Sequence, residues 1–177
     1  MHNFDLVITT QRGNERACIR EVTMLVDRLG GPSIRLRKTR FPGLIAGTVE
    51  GDPVQLVRSI RPLVEEDPWD LRFTLKLVPI QRCVQAELGM IRDAVGELSA
   101  EIPEGSSFRI TVSKRGSALS TSDIIRESAS QVDRRVDLEG PDRIVQVEII
   151  DDVAGIGLLN PADILSITKL QEKAMEA

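Results

Sequence analysis

Ser107–Ile150 reads SFRITVSKRGSALSTSDIIRESASQVDRRVDLEGPDRIVQVEII, and this run decides the fold. Phe108, Ile110 and Val112 alternate with Arg109, Thr111 and Ser113, the period-two pattern of a strand with one buried face. Lys114, Arg115 and Gly116 end that strand with two cations and a flexible residue. Ser120 and Asp123 have capping-box spacing, and Ile124, Ile125, Ser128, Ala129 and Val132 then fall on one face of a helix. Gly140-Pro141 marks a turn, and Val145, Val147 and Ile149 share one side of a second strand over Arg143–Ile150. Strand, basic turn, helix, loop and strand in one run predict a helix packed on a sheet.

Working outward, Cys83–Leu98 shows helical spacing through Val84, Leu88, Ile91, Val95 and Leu98. Gly155–Leu159 reads as a further strand, and Ile164–Thr168 as the last one. Toward the N-terminus, Asp5–Thr10 is a strand, and a helix follows to about Leu29, where Gly30-Gly31-Pro32 stops it. Ile34–Lys38 and Leu44–Glu50 are strands. Asp52-Pro53 starts a helix that runs to Ile60 and ends at Pro62. Trp69, Leu71, Phe73, Leu75 and Leu77 alternate with Asp70, Arg72, Thr74 and Lys76, predicting a strand over the whole run. Strand-helix-strand-strand-helix-strand is the ferredoxin-like order. The expected class is therefore α+β, with a ferredoxin-like sandwich over residues 1–80 and a second α/β domain with a mixed sheet over 81–177.

Composition narrows function. With 177 residues and 41% hydrophobic content the chain has enough apolar surface for ordinary cores. Aromatics are only 3%, which leaves no broad platform of rings for stacking bases, so any nucleic-acid binding rests on charge and shape. The net charge of −4 argues against a uniformly basic binder but permits a local basic face. His2 is the only histidine, and Cys18 and Cys83 lack metal-ligand spacing. Neither a dinucleotide fingerprint nor a phosphate-binding glycine-lysine loop is present, so no cofactor is expected. Asp151 and Asp152 are neighbours that point to opposite faces of a strand, the pattern of a solvated strand end rather than an ion site. No apolar run reaches the roughly 18 residues of a membrane span, and there is no basic-then-apolar N-terminal signal, so a cytoplasmic, non-catalytic protein is expected.

Two cations at a strand end, followed by helix amides that lack intrahelical partners, form a place where a phosphate can sit. A solvated strand end is the alternative for the same residues. Here the motifs speak: FRITVSKR (Phe108–Arg115), TSDIIR (Thr121–Arg126), VDLEGPD (Val136–Asp142) and VQVEII (Val145–Ile150) resemble the THUMP domain, an RNA-binding module of tRNA-modifying proteins. FDLVITTQRGNE (Phe4–Glu15), FPGLI (Phe41–Ile45) and LSITK (Leu165–Lys169) look like the stand-alone THUMP proteins that act as tRNA-acetylation adaptors. Most members of that family carry a fused catalytic domain, and this chain ends before one, so the expectation is a binding subunit.

The resemblance implies that the THUMP half holds the acceptor stem and 3′ end of tRNA. It implies a tRNA cytidine acetyltransferase as partner and N4-acetylcytidine in the D-arm as product. By motif position Arg109, Lys114 and Arg115 would contact phosphates, joined by Lys169 in the terminal motif and by Ser120 at the helix start. Arg12, at the first strand-to-helix turn, and Lys38 with Arg40 are candidates from the N-terminal unit. Recognition of duplex shape needs phosphate and hydroxyl contacts more than rings, which suits this composition. A second reading is a protein-interaction scaffold that uses a sheet edge of the N-terminal unit. A small enzyme acting on a phosphorylated metabolite is the third, and nothing in the sequence supplies its chemistry.

Overall fold

In the computed structural model, which describes residues 2–177, ten strands and five helices follow in chain order. They are β1 (Leu6–Thr10), α1 (Glu15–Arg28), β2 (Ile34–Lys38), β3 (Leu44–Val49), α2 (Pro53–Glu66) and β4 (Thr74–Pro79). Next come β5 (Arg82–Gln85), α3 (Leu88–Ser99), β6 (Ser107–Arg115), α4 (Thr121–Ala129), β7 (Arg135–Val136), β8 (Arg143–Ile150) and β9 (Val153–Leu159). A single 3-10 turn, Pro161–Asp163, leads to β10 (Leu165–Ser166) and α5 (Ile167–Glu176). The class is α+β, as the patterning predicts. No helix among the described residues is long and apolar enough to cross a membrane.

The chain forms two compact units, the first made of Phe4–Pro79 and Ala162–Ala177, the second of Ile80–Pro161 joined by His2 and Asn3. In the first, five strands lie in the order β10-β4-β1-β3-β2 with every neighbour antiparallel. Leu6, Ile8, Ile45 and Leu77 share one face of the sheet, and Cys18, Val22 and Leu25 of α1 pack there with Val57, Ile60 and Val64 of α2. Burial pushes the Cys18 thiol up to about 11, so it behaves as a small core residue. The Asp52 carboxylate caps α2 by accepting the Val54 and Gln55 amides at 2.9 and 3.3 Å. Pro62 does not end this helix, which continues to Glu66. Proline removes one intrahelical bond, but the buried stripe of Ile60 and Val64 spans it, and core packing outweighs the loss.

Gly47 of β3 sits where a side chain cannot. A Cβ there would stand 2.5 Å from Leu36 Cδ2 and 2.7 Å from the Arg35 carbonyl oxygen on β2. Gly47→Ala is expected to lower stability by about 1–3 kcal/mol, the usual cost of overpacking, read as a fall in the thermal or urea midpoint.

The strand predicted from Trp69 begins only at Thr74. Glu21 of α1 bears on the difference: its carboxylate accepts the amides of Arg72, Phe73 and Thr74 and the Thr74 hydroxyl, so the Arg72 and Phe73 amides are withheld from a ladder and pairing starts at Thr74, opposite Thr10. Trp69 lies instead in a turn where the Asp67 carboxylate accepts its amide at 3.1 Å, and it is 51% exposed. A second carboxylate clamp joins two loops. Glu15 accepts the Gly43 amide at 2.7 Å and the Gly13 amide at 3.1 Å, and Gly43 adopts φ +76°. Those bonds, the Gly43 amide first, hold the Glu15 carboxyl below the usual carboxylate range. A carboxyl with a depressed folded pKa adds stability above its unfolded pKa, and that stability disappears as pH falls through the folded value. Glu15→Gln is thus expected to flatten the acid limb of the stability-pH curve while changing its neutral plateau in the destabilising direction.

The second unit has a mixed sheet in the order β5-β9-β8-β6-β7, with β6 parallel to both β8 and β7 and the other pairs antiparallel. A parallel pair needs a crossover, and α4 supplies it. Ile91, Ala94 and Val95 of α3 and Ile124 of α4 cover Phe108, Val145, Val147, Ile149, Ala154 and Ile156. The helix predicted over Cys83–Leu98 is in fact β5 followed by α3. Arg82–Gln85 pairs with β9 along Val153–Ile156, and that ladder overrides the helical spacing of Val84 with Leu88. Asp151 and Asp152 form the β8–β9 hairpin turn, with Asp151 at φ +54° in the left-handed region such turns need.

The predicted boundary of 81–177 differs from the observed units at its C-terminal end. Residues 162–177 return to the first unit: Leu165 pairs with Leu77 and is fully buried in that core. Asp163 accepts Arg58 Nε and Nη2 at 2.7 and 3.1 Å, and Arg61 donates to the Ala162 and Ile164 carbonyls at 2.7 and 3.0 Å. The predicted strand over Ile164–Thr168 is only two residues long, because the Ser166 hydroxyl accepts the Lys169 amide at 3.2 Å and starts α5.

Candidate nucleic-acid interface

Strand parity sorts the candidate cations of β6. Phe108, Ile110 and Val112 face the helices, so Arg109, Thr111, Ser113 and Arg115 share the opposite face. Lys114 falls on the helix side and is half-buried, and its Nζ donates to the Leu119 carbonyl. That bond fastens the loop between β6 and α4, so Lys114 organises a turn. Arg115 is exposed, with Nη1 donating to the Lys114 carbonyl at 3.2 Å. Gly116 at φ +69° turns the chain, and the Ser120 hydroxyl caps α4 by accepting the Asp123 amide at 3.3 Å. The Ser120 oxygen is therefore spent on the helix. Remaining amides of that first turn, with Arg115 at the strand end, keep the positive character expected of a phosphate seat.

Arg109 stands at the other end of β6, roughly 20 Å away at about 3.3 Å per residue. One phosphate cannot be shared by Arg109 and Arg115, and between them on that face lie the half-buried Thr111 and Ser113, beside the buried Gln146 and Glu148 of β8. Arg109 Nη1 donates to the Leu138 carbonyl at 2.9 Å, and among the described residues its buried Nε has no partner. The loop it holds is well defined. Asp137 accepts the Gly140 and Glu139 amides at 2.9 and 3.1 Å, and these bonds, Gly140 first, keep its carboxyl below the usual range. Asp142 is likewise lowered, chiefly by the Ser107 amide at 2.9 Å.

The strand register reveals a cation that the motif reading missed. Arg135, opposite Ser107 on β7, shares the Arg109 face at that end of the sheet, whereas Arg143, opposite Phe108 on β8, falls on the helix side. The signal available in the sequence was Arg134-Arg135 just ahead of the VDLEGPD motif. Arg134 itself is committed, with Nη2 donating to the Ile102 carbonyl at 2.9 Å. A cleft of about 580 Å³ opens at the opposite end, between the residues that follow β5, β6 and β8. Glu87, Asp151 and Asp152 line it together with Gly116, Ser117, Ala118 and Leu119, so the loop that joins Arg115 to α4 borders an acidic cleft whose charge opposes a phosphate inside it. No cluster of His, Cys, Asp and Glu among the described residues is arranged to hold a metal.

The other candidates belong to the first unit. Lys169 lies exposed in the first turn of α5, so the unit that holds it is not the one that holds Arg109, Lys114 and Arg115. Arg12 is exposed in the turn after β1, and Lys38 is exposed at the end of β2. Arg40 places its guanidinium carbon 4.2 Å over the Phe41 ring.

The second unit is thus an α/β module with a parallel crossover and with cations at the two ends of its β6 face, Arg109 and Arg135 at one and Arg115 at the other. Residues 86–159 match the family model of the THUMP domain, so this unit carries a THUMP domain. Among curated proteins none matches the chain. Solved structures do: PH1313 from Pyrococcus horikoshii Ot3 is 16% identical with a TM-score of 0.65, over 93% of this chain and 55% of that one. TrmN from Thermus thermophilus is 18% identical with a TM-score of 0.58, over 90% and 47%. A 4-thiouridine synthetase solved with RNA and bound ATP is 12% identical with a TM-score of 0.52, over 89% and 41%. At these identities the likeness is one of fold, and the chain spans about half the length of the structures it matches.

Proposed function

We infer that this chain is a non-catalytic, cytoplasmic tRNA-binding protein that holds the acceptor stem and 3′ end and presents the tRNA to a separate modifying enzyme. By the resemblance of its motifs that enzyme is a tRNA cytidine N4-acetyltransferase. The THUMP match over residues 86–159 carries the reading. A 4-thiouridine synthetase of related fold was solved bound to RNA, which supports it. The groups on the proposed surface are cations, hydroxyls and helix amides, which bind phosphate and ribose. The scaffold reading finds less support: the β2 edge of the first sheet exposes Arg35 and Lys38, charges that guard an edge against strand addition.

The test compares intact tRNA, tRNA lacking its 3′ terminal nucleotides and an unrelated hairpin of similar size across a range of salt. Preference for intact tRNA is expected, with a salt slope of about 0.7–0.9 log unit per phosphate contacted. Equal affinity for all three RNAs would sink end recognition.

A further inference from the structure

The first unit carries a cleft of about 570 Å³ between α1 and the turn before β4. Leu25 and Leu71 form its floor, each 2% exposed, and Met24 on its rim is 64% exposed. Large apolar side chains displayed this openly beside a cavity mark a contact surface. Methionine adapts to the shape of a partner, and Trp69, in the same turn as Asp70 and Leu71, is the residue type most enriched among interface anchors. The surface is also held rigid. Glu21 pins the amides of residues 72–74, Asp67 pins that of Trp69, and Gln171 Nε2 donates to the Pro68 carbonyl at 3.0 Å. Rigidity of this kind lowers the ordering cost of association.

Charge selects the occupant. Glu21, Asp27 and Asp70 line the cleft with one cation, Arg28, and that guanidinium is engaged by Asp70 at 2.7 Å. Glu65, Glu66 and Asp67, all exposed, precede Trp69 in the chain. An acidic rim repels phosphate, so RNA is disfavoured here, and an apolar floor inside an acidic rim complements a helix with one apolar and one basic face.

We propose that this cleft docks a basic amphipathic helix of the modifying enzyme, leaving the cationic face of the second unit to the tRNA. The inference rests on the adaptor reading. It divides the labour between the units: one holds enzyme, the other RNA.

Trp69 is the only tryptophan in the chain and directly precedes Asp70 and Leu71 of the cleft, so its emission is the readout for a partner seated there. The full chain is titrated with a helical peptide of leucine and lysine, with the same peptide carrying glutamate for lysine, and with tRNA. The lysine peptide is expected to shift Trp69 emission to the blue in a saturable, salt-sensitive way, and the glutamate peptide to leave it unchanged. Met24→Ser, which removes the apolar contact without adding charge, and Asp27→Lys, both at exposed positions, should each weaken the lysine peptide by about tenfold or more while leaving tRNA affinity intact. Unchanged peptide affinity in both variants overturns the inference. So does tRNA affinity that falls in them together with a response of Trp69 to tRNA, which would make the cleft an RNA site. Wild-type protein that binds the lysine peptide but no tRNA overturns the adaptor reading and leaves the docking cleft standing.

Discussion

Removing residues 162–177 unfolds the first unit. That segment carries Leu165 and Ile167, 0% and 1% exposed, and each belongs to the same core as Leu6, Ile8 and Leu77. Emptying one such site costs about 2–5 kcal/mol, and a whole domain is stable by only about 5–15 kcal/mol. The deletion also strips β4 of its partner on one side, β10 at Leu77 and Lys76, and leaves Arg58 without Asp163. Circular dichroism of the shortened chain should therefore show lost helix and a broad or absent thermal transition. Leu165→Ala is the milder version, expected to fold with a midpoint lowered in proportion to about 2–5 kcal/mol. A shortened chain that melted like the full one would show that the C-terminal segment is only an appendage.

Arg115→Glu should produce the largest loss of tRNA affinity among single changes on the β6 face. Its guanidinium is exposed at the strand end, where it donates to the neighbouring Lys114 carbonyl at 3.2 Å. Reversal removes one phosphate contact and adds a repulsion, so a loss of about tenfold or more is expected, with the salt slope lowered by about 0.7–0.9. Lys114→Gln makes the informative contrast. Lys114 Nζ secures the Leu119 carbonyl, so this change should lower thermal stability and loosen the loop before α4 while altering the salt slope less than Arg115→Glu does. If the two variants exchanged behaviours, the parity argument for β6 would fail.

The cationic face was partly legible in the sequence. FRITVSKR announced a strand ending in cations, and the same alternation that buries Phe108 already places Lys114 on the helix side. Arg135 was not legible as a neighbour of Arg109, because it reaches that face only through the register of β6 with β7. Lys169 shows the converse: it stands in a THUMP-like motif, yet the segment that carries it packs with the first unit.

By itself the sequence determined the elements whose cause is local. Asp52-Pro53 starts α2, Ser120 caps α4, and the alternation of Val145, Val147 and Ile149 makes a strand, because capping bonds and side-chain periodicity act within one or two turns. Tertiary structure alone decided where such local signals were overruled or joined. Glu21 captured the Arg72 and Phe73 amides ahead of β4, β9 drew Arg82–Gln85 out of a helix, and Leu77 gave Leu165 its place in the first core. Each of these partners is distant in sequence and close in space, and a hydrogen bond or a buried side chain is stabilised only by the group that meets it.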